Sequence, residues 1–215
     1  MIQEEQLLDN AVIANANFKE FNYPLTFEFK LGTLSNDFIA KDASGQTIAY
    51  VRQKMFRLKE AIMVYGDENK SELKYKINAN KIIDFSANYE FTNNNDLVLG
   101  SVGRKGMKSL WKAHYELYDA DKNKEFTIKE ENPWAKVFDT LMSEIPVVGI
   151  FTGYAFNPKY GIVSNDGKTI ARLSKEKSFF GRKFKLEKLE NLHEGDSERI
   201  LLGLMMMVLL ERRRG

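Results

Sequence analysis

The last nineteen residues constrain this chain more than any other stretch. From Ile200 to Leu210, eleven apolar or small residues run unbroken, with Glu198 and Arg199 before them and Glu211, Arg212, Arg213 and Arg214 after. A helix of that length spans roughly 16 Å, at about 1.5 Å per residue. A membrane-spanning helix must cross a hydrocarbon core of about 30 Å, so a tail anchor falls short by half. No polar face remains either. Leu201, Leu202, Leu204, Met205, Met206, Val208, Leu209 and Leu210 surround the helix, and only Gly203 is small. A helix that is apolar all round must be enclosed all round. The enclosure has to come from the rest of the chain.

That rest reads as β-structure. Leu25, Phe27, Phe29 and Leu31 alternate with Thr26, Glu28 and Lys30, the period of a half-buried strand. Further strands are expected at 38–41, 47–52, 61–65, 73–77, 85–91, 97–102, 109–118, 125–129, 160–163 and 169–173, and a last one within 178–189. Turn residues punctuate them: Asp42 to Gly45, Gly66-Asp67, Asn93 to Asp96, Asp119 to Lys124 and Asn165 to Gly167, with a further break at Asn78 to Asn80. Asn132-Pro133 opens one interior helix, with Trp134, Val137, Phe138, Leu141 and Met142 along one stripe and Pro146 ending it. Residues 147–156 form an apolar connection or strand, and Gly195-Asp196-Ser197 cap the final helix.

About twelve short strands with regular turns suit a sandwich or a barrel. A sandwich has no place for the terminal helix. A closed antiparallel barrel of about twelve strands has a lumen to fill, and the helix is the right size. The expected fold is therefore mainly β, a barrel at 23–215 around a central helix at 197–211, preceded by an N-terminal arm at 1–22. The helix's charged ends are expected at the two mouths, in water.

Composition narrows the function. The absence of cysteine removes disulfides, thiol catalysis and Cys-ligated metals, and fits a reducing, cytoplasmic setting. A net charge of +2 gives no reason to invoke nucleic acid. The acidic N-terminus lacks the apolar core of a secretory signal, and no run reaches a transmembrane span. His114 and His193 lie far apart with no motif around them, so no catalytic residue, metal site or cofactor is expected.

Four segments carry a resemblance: Phe38 to Arg52, its echo at Tyr160 to Leu173, Ser178-Phe-Phe-Gly-Arg-Lys-Phe, and the terminal helix closed by Leu210-Glu-Arg-Arg-Arg. Their order resembles the LURP-one-related family of tubby C-terminal-like domains, the superfamily of the phospholipid scramblases, over residues 23–215. The resemblance implies a twelve-stranded barrel around a hydrophobic helix, with no enzymatic activity. It also implies surface cations that hold anionic phospholipid headgroups. The scramblase calcium segment does not carry over, because residues 191–198 lack the spacing of a calcium loop.

Two basic patches are candidates for headgroup binding. Arg104, Lys105 and Lys108, with Lys112 beyond them, form one, and Lys175, Lys177, Arg182, Lys183 and Lys185 the other. Phe179 and Phe180 sit inside the second, as candidates for membrane contact by insertion beside charge attraction. The plainer reading is a solvated strand edge with the phenyl rings in the core. Arg212 to Arg214 are either a lipid hook or a wet helix end, and Met205 to Met207 read as core filler. The expected partners are thus an anionic phospholipid at a peripheral membrane surface, or a protein. The alternatives are a lipocalin-like carrier of small molecules and an interaction protein without lipid binding.

Overall fold

A computed structural model describes residues 21–29, 35–54, 61–83, 86–104, 114–131, 159–176, 183–193 and 195–212. They form β1 (Leu25–Phe29), β2 (Ser35–Lys41), β3 (Thr47–Lys54), β4 (Ile62–Tyr65), β5 (Leu73–Ile83), β6 (Ser86–Asn93), β7 (Val98–Arg104), β8 (His114–Tyr118), β9 (Lys124–Glu130), β10 (Lys159–Ser164), β11 (Thr169–Lys175), β12 (Lys183–Lys188) and α1 (Asp196–Arg212). Each strand pairs antiparallel with its neighbours in sequence. β1 also pairs with β12, Leu25 opposite Leu186 and Phe27 opposite Phe184, which closes the barrel and leaves no edge.

Alternation decides which side chains face inward. Leu25, Phe27 and Phe29 of β1 are buried, as are Tyr115 and Leu117 of β8, while Thr26, Glu28, Glu116 and Tyr118 are only partly covered. One strand outruns its sequence signal. β5 continues through Asn78 to Asn80, where a break was expected, because β6 holds it in register with Asn78 opposite Glu90 and Asn80 opposite Asn88. Ladder pairing with β6 outweighs the weak strand preference of asparagine. The expected interior helix and the apolar stretch 147–156 lie outside the described residues.

The helix is where its composition requires it to be. Ile200 to Leu209 are buried without interruption inside the wall. Enclosing each leucine or methionine contributes about 1.5–3 kcal/mol. The helix sits off-centre, nearest β6, β7 and β8. Small residues permit that approach. A Cβ added at Gly203 would strike the Leu117 side chain, and one at Gly100, where φ is +147°, would strike the Tyr118 carbonyl. The opposite wall, β12, β1 and β2, fills the wider gap with rings. Phe29 meets Phe38 edge-on at 4.6 Å between centroids, with Phe27 5.6 Å from Phe38 and Phe184 6.4 Å from Phe29.

Candidate functional site

Because every strand reverses direction, each mouth of the barrel collects one kind of connection. The near mouth, where α1 begins, takes the turns from even to odd strands (42–46, 66–72, 94–97, 119–123 and 165–168) and the lead into the helix. The far mouth, where α1 ends, takes the connections from odd to even strands, at 30–34, 55–61, 84–85, 105–113, 131–158 and 176–182.

At the near mouth the helix is bolted to the wall by charge. Gly195 accepts the first helical bond, from the Arg199 N–H, and the Asp196 carboxylate accepts from the His193 N–H at 2.8 Å. Asp196 and Glu198 place negative charge in the first turn, where the helix dipole favours it. The expectation that these charges sit in water is corrected here: Asp196 is 4% exposed and Glu198 6%. Their burial is stable because each has a partner. Tyr75 of β5 donates to Glu198 Oε1 at 2.5 Å. Arg199 Nη2 donates to Asp196 Oδ1 at 2.8 Å and to Glu125 Oε1 at 3.0 Å, and its Nε lies 2.7 Å from Glu125 Oε2. Tyr23 donates to Ser197 Oγ at 3.3 Å. Burial, then the Glu198 charge, drives the Tyr75 phenol far above its ordinary range. Burial also raises the Glu125 carboxyl, against the pull of Arg199. The sequence offered one signal of this bolt, a helix N-terminus carrying three charges in four residues. Its wall partners Tyr75 and Glu125 had no local signature.

The candidate binding residues divide differently from the two patches seen in sequence. Both patches belong to the far mouth, since 105–113 and 176–182 are both odd-to-even connections. Lys105, Lys108, Lys177, Phe179, Phe180 and Arg182 lie outside the described residues. The four described cations split by face. Arg104 is in register with buried Tyr115, and Lys175 with buried Phe184, so both share the inner face of the rim. Lys183 and Lys185 stand outside, opposite Glu28 and Thr26. Carboxylates already engage these two. Lys183 is 3.5 Å from Glu28 and 3.7 Å from Glu176, and Lys185 is 2.7 Å from Glu187. Lys41 is 3.8 Å from Glu28 on the same outer face, so the wall there is a lattice of alternating sign.

The two sets of connections differ in composition. Near-mouth connections hold ten carboxylates, three lysines and no aromatic residue. Far-mouth connections, with residues 213–215 after the helix, hold eleven cations, six carboxylates and ten aromatic residues, both tryptophans among them. Among the described residues no helix is long and apolar enough to cross a membrane, and no three acids or histidines are grouped to hold a metal ion.

A family model described as LURP-one-related matches residues 47–188, from β3 to the end of β12. β1, β2 and the helix, which close and fill the barrel, fall outside that match. No curated protein and no solved structure matches the chain.

Proposed function

This chain belongs to the LURP-one-related family, and on that footing we propose that it is a non-enzymatic binding module that rests the far mouth of its barrel on an anionic phospholipid surface. The observation that carries this reading is the contrast in composition between the mouths. Basic residues near an anionic bilayer contribute about 1 kcal/mol each, and aromatic rings favour the headgroup level. The far-mouth connections bring both together, with Lys105, Lys108, Lys177, Arg182, Phe179 and Phe180 as the contributing residues and Arg104 and Lys175 on the inner rim. The acid-rich near mouth is repelled by the same surface, which favours one orientation. Lys183 and Lys185 contribute little, because Glu28, Glu176 and Glu187 already hold them. The setting is the cytoplasmic side of a membrane, held peripherally. A carrier role is disfavoured because the lumen is occupied by α1.

Vesicle co-sedimentation tests the proposal. The protein is expected to sediment with phosphatidylserine- or phosphoinositide-containing vesicles, less so as salt rises, and not with neutral ones. Reversing Lys105 and Lys108 to Glu is expected to release it. Equal binding to neutral vesicles, or none at all, overturns the lipid reading and leaves a protein partner as the occupant of that mouth.

A further inference from the structure

The wall is not zipped evenly. Six junctions join an odd strand to the next even one, and five of them stay paired at the far mouth to the last residue of a strand. Phe29 is opposite Phe38, Ile83 opposite Ser86, Arg104 opposite Tyr115, Glu130 opposite Tyr160 and Lys175 opposite Phe184. The junction of β3 with β4 stops short. Among the described residues its rungs are Tyr50 opposite Tyr65 and Val51 opposite Val64. Continued toward the far mouth, that register sets Arg52 against Met63 and Gln53 against Ile62, and neither pair is joined. Both strands are nevertheless in place there. β2 holds β3 as far as Lys54, opposite Ser35, and β5 holds β4 from Ile62, opposite Ile77. The wall is parted between two strands that are each secured on their other side.

Side chains do little to make up for the missing rungs. Ala49 and Val51 of β3, with Ile62 and Val64 of β4, are the buried lumen residues beside the parting. None of the four is aromatic, whereas Phe29 and Phe38 lock β1 to β2 edge-on with centroids 4.6 Å apart. The helix braces the wall elsewhere, closest to β6, β7 and β8. On the outer side Met63 is 38% exposed, one of two large apolar side chains so exposed among the described residues. The facing backbone groups at 52–54 and 62–63 have no ladder partner among the described residues. Local opening begins where the fewest backbone bonds and buried contacts must be broken, and this junction meets both conditions.

We infer that the β3–β4 junction is a lateral gate in the barrel. The wall opens there first, from the parted far end down to the Val51–Val64 rung, and presents Val51, Ile62 and Val64 at the far mouth. The helix need not be withdrawn, because Tyr75, Glu125 and Asp196 hold its first turn at the opposite mouth. The gate gives lateral access to the apolar lining of a lumen that is otherwise plugged. The inference does not depend on lipid binding at the far mouth.

Native-state hydrogen exchange on the unsubstituted chain tests this directly. The amides that bond across β3–β4, among Tyr50, Val51, Val64 and Tyr65, are compared with those that bond across β7–β8, among Ser101, Val102, Leu117 and Tyr118. The β3–β4 set is expected to exchange about tenfold or more faster, through an opening smaller than global unfolding. Thiol labelling reads the same event from side chains, since the chain has no cysteine of its own. Val64 and Ile162 are both fully buried in the lumen, the first at the gate and the second in the fully paired β9–β10 junction. At urea concentrations that match the two variants in global stability, Val64→Cys is expected to react with a maleimide about tenfold or more faster than Ile162→Cys. Equal or slower exchange at the β3–β4 rungs overturns the inference, as does equal labelling of the two thiols. So does exchange at β3–β4 that rises only together with exchange at β7–β8, because that is unfolding of the whole barrel. Should either cysteine variant not fold, exchange in the unsubstituted chain decides alone.

Discussion

The two mouths of this barrel use charge in opposite ways. At the near mouth, Asp196, Glu198, Arg199 and Glu125 are drawn into the protein and matched against one another and against Tyr75. At the far mouth, charge is carried in the connections between strands, where cations outnumber carboxylates by eleven to six. Buried charge must be paired or it costs several kcal/mol, so the near mouth is bound to structure. Charge in a connection is not held to that rule, so the far mouth can vary without loss of the fold. Substitutions at the two mouths should therefore separate stability from binding.

The largest effect is expected in the helix that joins the mouths. Met206→Asp buries a charge with nothing to match it, and should cost more than about 4 kcal/mol, enough to abolish a cooperative thermal transition. A normal melt would mean that the helix is not the core. Next comes the near-mouth bolt. Arg199→Met leaves Asp196 and Glu125 facing each other without their cation, and should cost about 3–5 kcal/mol in urea unfolding. Tyr75→Phe removes only the donor to Glu198 and should cost about 1–3 kcal/mol. An Arg199→Met midpoint no lower than that of Tyr75→Phe would show that the ion pairs are not what fastens the helix.

Two titrations sharpen the same contrast. The Glu125 carboxyl is raised by burial, so its protonated form suits the folded state better than the charged one. Its stabilising contribution is present below the ordinary carboxylate pKa of about 4.3 and fades as pH rises through the higher folded value. Glu125→Gln should flatten that part of the curve of urea midpoint against pH. Tyr118, partly buried and donating to Glu116, is pushed up to about 12. Its contribution holds below pH ~10 and is lost between there and about 12, which Tyr118→Phe should abolish in alkaline unfolding. The smallest effect on stability belongs to the far mouth. Lys105→Glu with Lys108→Glu should move the urea midpoint by no more than about 0.5 kcal/mol while vesicle binding is lost. A large loss of stability there would erase the distinction between the mouths.

Much of the fold was legible because each element announced itself locally. Leu25, Phe27 and Phe29 fixed a strand by alternation, and Ile200 to Leu210 fixed a buried helix by having no polar face. What stayed hidden needed two distant segments at once. Asn78 to Asn80 read as a break because their partners in β6 are invisible in a single segment. Tyr75 and Glu125 read as ordinary strand residues because Glu198 and Arg199, which they hold, are more than seventy residues away. The common location of the two basic patches was nearly readable. It follows from counting strands, since any two odd-to-even connections share a mouth. The face each cation takes did not follow, because Arg104 and Lys175 turn inward through their cross-strand partners Tyr115 and Phe184.

The pairing of β1 with β12 sets an order of events at the ribosome. Leu25 waits for Leu186, and Tyr23 for Ser197, so β1 has no partner on one side until β12 has been synthesised. Until then the nascent protein is a curling sheet whose greasy inner face has nothing to cover it. The helix that fills it emerges only after all twelve of these strands. Contacts this distant in sequence make for slow folding and long exposure. A nascent chain of this design should depend on a chaperone that holds an open sheet, and a translation stall inside the final helix should be more damaging than one anywhere in the first hundred residues.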